Sequence, residues 1–258
     1  MTIEIKQLHA GYGHLEILHG VDLTIQQGEF VTLLGPNGAG KSSLLKTIFG
    51  MTTFRGGSIV SRGEEIGRLK SQAILTKGIA YVPQGRCNFP MMSVDENLEL
   101  AAHMVRDKNS RQEREAIYDL FPVLQQRRRQ FAGNLSGGEQ QILEMAMAVL
   151  RRPEVLLIDE PSVGLSPQAI TQVFNELKRL HECGKTIVLV EQNTRRAMQV
   201  AKRAVVLRLG KVIWDSPVEA LSHDRLGELF MVGNRTHETA EPVTCPTSHE
   251  AVATVLAS

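Results

Sequence analysis

The chain has 258 residues, 42% hydrophobic and 22% charged, and its 29 basic against 28 acidic residues leave a net charge of +1. That is ample for the core of one large domain or two small ones, and it excludes the strongly basic field of a nucleic-acid binder. Cys87, Cys183 and Cys245 lie far apart without metal-ligand spacing and read as reduced thiols. No apolar run reaches the ~18 residues of a membrane span, and Met1–Lys6 carries no signal-peptide core. A soluble cytoplasmic protein is expected, with any membrane role supplied by a partner.

Ile3 and Ile5, then Val21, Leu23 and Ile25, alternate with polar residues, the pattern of half-buried antiparallel strands. Between them Gly11-Tyr12-Gly13 offers the Tyr12 ring face to a ligand such as an adenine base; an ordinary turn aromatic gives the same pattern. Phe30-Val31-Thr32-Leu33-Leu34 reads as a buried strand, followed by Gly35-Pro36-Asn37-Gly38-Ala39-Gly40-Lys41-Ser42. This fits G-x-x-x-x-G-K-[ST], the loop that binds nucleotide phosphates. Glycines let successive backbone N–H groups turn toward phosphate oxygens, and the helix from Lys41 directs its positive end at the same anion. Lys41 supplies a point charge for the β- and γ-phosphates, and the Ser42 hydroxyl a ligand for Mg²⁺.

Phe54-Arg55-Gly56-Gly57-Ser58-Ile59 reads as a turn into a short strand, and Ile79–Gln84 as a strand stopped by Pro83. Ser93-Val94-Asp95-Glu96 is a capping box opening a helix. Residues ~88–133 keep helical spacing without a convincing strand, so a helical insert is expected in an otherwise α/β chain. Arg127-Arg128-Arg129 reads as a solvated helix end. Ser136 and Glu139 in Leu135-Ser136-Gly137-Gly138-Glu139 again have capping-box spacing. Gly137 and Gly138 each cost ~1 kcal/mol in a helix, which bare N–H groups meeting an anion would explain. Glu154–Pro161 is an apolar run ending in Asp159 and Glu160, as expected of a buried parallel strand. Paired acids at a strand end beside a phosphate loop suit a metal ligand and a general base. Ser166-Pro167 starts a helix with Ile170, Val173, Phe174, Leu177 and Leu180 as its buried stripe. Thr186–Val190 is the next buried strand, ending in Glu191-Gln192-Asn193, and Ala204–Leu207 with Val212–Trp214 form a final pair around Leu209-Gly210-Lys211. Residues 234–258 read as a poorly ordered tail.

The order of these motifs resembles the ABC ATPases over residues ~1–233, and most closely the second ATP-binding subunit of branched-chain amino acid importers and their amide and urea relatives. The residues that carry the resemblance are Tyr81-Val82-Pro83-Gln84-Gly85-Arg86, Leu135–Gln141, Asp159-Glu160-Pro161-Ser162-Val163-Gly164-Leu165-Ser166-Pro167 and Val190-Glu191-Gln192-Asn193. The resemblance implies a P-loop ATPase core with a mainly parallel sheet, an N-terminal antiparallel β part and a helical subdomain at about 88–150. It implies a head-to-tail dimer with a second ATPase subunit, a paralogue or a copy of itself. ATP would lie between the loop Gly35, Pro36, Asn37, Gly38, Ala39, Gly40, Lys41, Ser42 and Ser43 of one subunit and Ser136, Gly137 and Gly138 of the other. Tyr12 would stack on adenine. Ser42 and Gln84 would hold Mg²⁺, with Asp159 acting through its water shell; Glu160 would polarise the attacking water, and Gln192 would reach the γ-phosphate. The segment after Gln84 and the helical insert would receive a helix of an integral membrane permease at the cytoplasmic face of the plasma membrane, with a periplasmic or extracellular binding protein as an indirect partner.

The broad superfamily has aspartate where Leu165 stands and histidine where Gln192 stands; the amino-acid-importer branch resembles this chain at both. That branch often has glutamate at the place of Gln84, and the glutamine here is nearer the urea-type relatives. Two alternatives stand beside this reading: a soluble ABC ATPase of DNA repair or translation, and a nucleotide sensor that does not hydrolyse. The single cassette without heptads argues against the first, and Glu160 against the second.

Overall fold

A computed structural model of the chain describes residues 2–85, 87–103 and 110–231; the expected 234–258 tail, Cys245 and Arg86 lie outside them. The chain runs β1 (Ile3–Tyr12), β2 (Leu15–Ile25), β3 (Phe30–Leu34), α1 (Lys41–Ile48), β4 (Thr53–Ser61), β5 (Glu64–Glu65), α2 (Ser71–Thr76) and β6 (Ile79–Val82). Four helices follow: α3 (Val94–His103), α4 (Ser110–Leu120), α5 (Pro122–Gln126) and α6 (Gly137–Val149). β7 (Val155–Asp159), α7 (Pro167–Glu182), β8 (Thr186–Val190), α8 (Thr194–Val200), β9 (Arg203–Arg208), β10 (Lys211–Pro217) and α9 (His223–Met231) complete it.

Two sheets form, an antiparallel one in the order β2-β1-β4-β5 and a larger one in the order β10-β9-β3-β8-β7-β6. In the larger sheet β9, β3, β8, β7 and β6 are parallel, and only β10 returns antiparallel onto β9. The period-2 alternation of a strand divides its residues between two cores. Phe30, Leu34, Leu156, Ile158, Ile187, Leu189 and Val206 pack with α6 and α7. Val31, Leu33, Val155, Leu157, Val188, Val190 and Leu207 pack with α1 and the antiparallel sheet. A one-residue slip would exchange the two sets, so both buried faces fix the register that aligns the strand ends.

The Gly56-Gly57 pair is not a turn. It lies inside the nine-residue strand β4, opposite a register shift in β1 between Lys6 and His9. There Gln7 has φ 45° and Gly57 φ +84°, and a Cβ on Gly57 would collide with the Gln7 carbonyl. The glycine accommodates a β-bulge. Gly57→Ala is expected to destabilise the protein by about 1–3 kcal/mol, the scale of a forced left-handed residue, read as a lower urea midpoint.

The Ser93 capping box is present: the Ser93 N–H donates to Glu96 Oε2 (2.7 Å) and the Glu96 N–H to Ser93 Oγ (3.2 Å). The segment from Met92 to Ala132 closes on itself, with the Ala132 N–H donating to Met92 O (2.8 Å) and the Val94 N–H to Gln130 O (3.0 Å). Arg128 differs from the solvated residue expected of a basic run. It lies 5.0 Å over the Tyr118 ring and 3.2 Å from both Asp95 and Glu115, so it ties the first helix of this segment to its last turn.

Candidate active site

The loop between β3 and α1 is shaped by its surroundings as much as by its own glycines. Gly35 has φ +146°, and a Cβ there would run into the Leu207 carbonyl of β9. The Gly210 N–H, in the β9–β10 turn, donates to Ala39 O (3.0 Å). The hairpin therefore backs the loop, while Asn37 and Gly38 stand exposed at its tip. Lys41 is only 4% exposed, and its Nζ donates to the carbonyls of Gly35 (2.8 Å) and Pro36 (3.0 Å). Burial pushes its pKa down, opposed by the charges of Glu160 and Asp159. Pro36 O accepts the Ala39 N–H, Gly40 O that of Leu44, and Ser43 O the hydroxyl of Thr47.

The acidic strand end sits against this loop. Asp159 is the last residue of β7, and Glu160 follows at φ 45°, its N–H donating to Val190 O (2.8 Å) of β8. That non-glycine left-handed residue sends the two adjacent carboxyls to different partners. Asp159 Oδ1 accepts from Ser42 Oγ (2.7 Å), and Oδ2 from the Tyr81 hydroxyl (2.9 Å). Glu160 Oε2 accepts from Nε2 of both Gln84 (2.9 Å) and Gln192 (2.7 Å). Burial raises the Glu160 pKa, countered by the Gln192 hydrogen bond and reinforced by the charges of Asp159 and Glu191. A carboxylate desolvated, made more basic and steered by two amides is equipped to accept a proton.

Tyr81 was not among the expected site residues. Burial, then the Asp159 charge, raises its phenol pKa, so it remains a donor. Its one visible signal in the sequence is a polar-tipped aromatic inside an apolar strand that pairs with the Asp159 strand.

Ser136 caps α6 with both bonds of a capping box, to and from Glu139. Among the described residues, Ser136, Gly137 and Gly138 make no hydrogen bond to residues 35–43 of the same chain. Gly138 also has a packing reason: a Cβ there would come 2.9 Å from Ala169 Cβ of α7. The helix pair α6–α7 thus accounts for one of the two glycines without an anion. Tyr12, at the end of β1, is 42% exposed, and its hydroxyl has no hydrogen bond to the described residues.

A family model described as ABC transporter matches residues 18–163, spanning the phosphate loop, the helical segment and the acidic strand end. The chain belongs to this family. The high-affinity branched-chain amino acid transport ATP-binding protein BraG of Pseudomonas aeruginosa is 40% identical over 86% of this chain and 96% of its own length. The probable branched-chain amino acid transport ATP-binding protein LivF of Archaeoglobus fulgidus is 40% identical over 87% of this chain and 96% of its own. Among solved structures, a dimeric ATP-binding cassette in a post-hydrolysis state bound to ADP and Pi aligns at TM-score 0.72 and 26% identity, over 84% of this chain and 98% of that one.

The chain is thus an ABC ATPase, a nucleotide-binding enzyme whose hydrolysis is coupled to transport. No helix among the described residues of the cassette is long and apolar enough to cross a membrane. Beside the active site the cassette carries an apolar groove of about 440 Å³, walled by Phe49, Tyr81, Pro83, Phe89, Leu100 and Met147. Tyr81 lines this groove, and its hydroxyl holds Asp159.

Proposed function

We propose that this cassette drives import of branched-chain amino acids, or of related amides or urea, from the cytoplasmic face of the plasma membrane. The observation that supports it most is the 40% identity to BraG and LivF along nearly the whole of both relatives. Permease subunits are the proposed membrane partners, with the apolar groove beside Tyr81 as their seat, and an external binding protein acts through them.

In this reading Lys41 leaves the neutral carbonyls of Gly35 and Pro36 for the phosphate charge. The N–H groups of the loop from Gly35 to Ser43 and the start of α1 hold the phosphates. Ser42 Oγ and Asp159, with the Gln84 amide close by on Glu160, form an oxygen set with one carboxylate at its centre. Mg²⁺ takes such a set together with substrate phosphates, and when bound it neutralises phosphate charge. Glu160 accepts the proton of the attacking water. Its Oε1 has no hydrogen-bond partner among the described residues, since Gln84 and Gln192 both donate to Oε2. Tyr12 stacks on the adenine.

Ser136, Gly137 and Gly138 serve the γ-phosphate of the facing subunit, as two-fold symmetry requires of a shared site. Their lack of bonds to their own loop supports this. In Ser136→Arg, monomers are expected to bind ATP normally while dimerisation and hydrolysis are lost. Equilibrium nucleotide binding and sedimentation check it; a folded variant that binds no nucleotide contradicts the assignment in trans.

Gln192 positions groups and moves no proton. The β7–β8 pairing brings it to the Glu160 carboxylate, where its amide orients the base as well as reaching toward the γ-phosphate. Gln192→Ala is expected to lower turnover about 10-fold or more, with little change in ATP affinity. Gln192→His, which still donates from a similar reach, is expected to keep substantial activity. Steady-state ATPase of the assembled transporter measures both. The proposal as a whole is tested by copurification in mild detergent: polytopic membrane subunits are expected with the cassette, and their absence counts against it.

A further inference from the structure

Glu191 is not used by the chemistry above, yet it is 1% exposed at the end of β8. Its Oε1 accepts three hydrogen bonds: from Ser162 Oγ (2.8 Å), the Gln192 N–H (2.9 Å) and the Asn193 N–H (3.1 Å). Its Oε2 is buried with no partner among the described residues. Ser162, 8% exposed, belongs to the loop that follows Glu160. Asn193 caps α8 by accepting the Arg196 N–H (3.1 Å).

This arrangement is costly for a mere cap. Asn193 already caps α8, and such a cap satisfies a helix-start N–H without burying a charge. Here a third carboxylate is added to a sheet edge that already holds Asp159 and Glu160, with Lys41 as the cation whose charge bears on Glu160. What the longer side chain provides is reach. It spans from the β8 end to the β7 loop, and so ties together the two turns that carry Gln192 and Glu160.

We propose that Glu191 is a positioning residue for hydrolysis: its buried carboxylate fastens the Gln192 turn to the Ser162 loop and thereby holds the Gln192 amide on Glu160. The proposal rests on Glu160 being the base. A loosened Gln192 turn leaves Lys41, Ser42 and the phosphate loop untouched, because none of them bonds to Glu191. The loss should therefore fall on turnover and not on ATP affinity.

The test is steady-state ATPase and ATP affinity of the complete transporter carrying Glu191→Ala, Glu191→Gln, Gln192→Ala and the double variant Glu191→Ala with Gln192→Ala. Glu191→Ala is expected to lower turnover about 10-fold or more with affinity unchanged. Glu191→Gln, which keeps an acceptor oxygen for the same donors, should recover most of that loss. If Glu191 acts through Gln192, the double variant is no slower than Gln192→Ala alone. Wild-type turnover in Glu191→Ala, no recovery in Glu191→Gln, or additive losses in the double variant would each overturn the proposal. Should Glu191→Ala fail to fold, Ser162→Ala removes the same tie from its other end. It is expected to slow turnover in the wild-type background and to have no further effect beside Gln192→Ala; wild-type turnover there also overturns it. Glu160→Gln, assayed in parallel, separates the two readings. If it hydrolyses ATP normally the base assignment itself is wrong, whereas a dead Glu160→Gln beside a fully active Glu191→Ala removes only the role of Glu191.

Discussion

Glu160→Gln is expected to bind ATP like the wild type and to lower phosphate release by about 10²–10⁴-fold, the contribution of a positioned general base. The substitution preserves shape, and an amide oxygen still accepts from Gln84 and Gln192, so the strand end stays in place. What disappears is the proton acceptor, and the ATP-bound dimer should accumulate. The same variant should be more stable than the wild type without nucleotide at neutral pH. The folded-state pKa of Glu160 is raised by burial, so its favourable contribution is complete below the ordinary carboxylate range. That contribution is lost as pH rises through the raised value. The stability gap between variant and wild type should therefore shrink on acidification toward the unfolded carboxylate value. Thermal melts across pH, beside a phosphate-release assay, check both claims; near wild-type hydrolysis by the variant contradicts the first.

Lys41→Ala is expected to weaken ATP binding by about 10- to 150-fold, the scale of charged hydrogen bonds worth ~1.5–3 kcal/mol, and to abolish measurable turnover. The surroundings of Lys41 show why the loss is specific. Lys41 is desolvated and spends its donors on two neutral carbonyls, so a phosphate offers it a better partner than it has. Removing it takes the principal cation from a site that also contains Asp159 and Glu160. Titration of a fluorescent ATP analogue against both proteins measures the shift; equal affinities contradict it.

The parts of the fold read correctly from sequence are those set by local pattern. Phe30–Leu34, Val155–Asp159 and Thr186–Val190 announce themselves as short apolar runs, and all three are fully buried parallel strands. The capping boxes at Ser93 and Ser136 are spaced by the helix itself, and both form. What local pattern hides has a non-local cause. Gly56-Gly57 resembles a turn because the bulge it serves depends on Gln7, fifty residues earlier in the chain. Gly138 has a packing reason that its neighbours in the chain hide, because Ala169, which crowds it, sits on another helix. At the site, residue types and spacing reveal Lys41, Ser42, Asp159 and Glu160, but not their pairing. Gln84 and Gln192 meet on one carboxylate oxygen because β6, β7 and β8 are adjacent and in register, and Tyr81 reaches Asp159 across the same pairing. None of these contacts has a signature along the chain.

The most direct measurement is ATP-driven uptake of labelled leucine, isoleucine and valine into proteoliposomes that contain the cassette, its copurifying membrane subunits and the external binding protein, with phosphate release followed in the same vesicles. Uptake and phosphate release are expected to rise together on adding ATP with Mg²⁺, and both to stop with Glu160→Gln. Uptake that continues at the wild-type rate with Glu160→Gln, or phosphate release that drives no uptake of any of the three, would contradict the assignment.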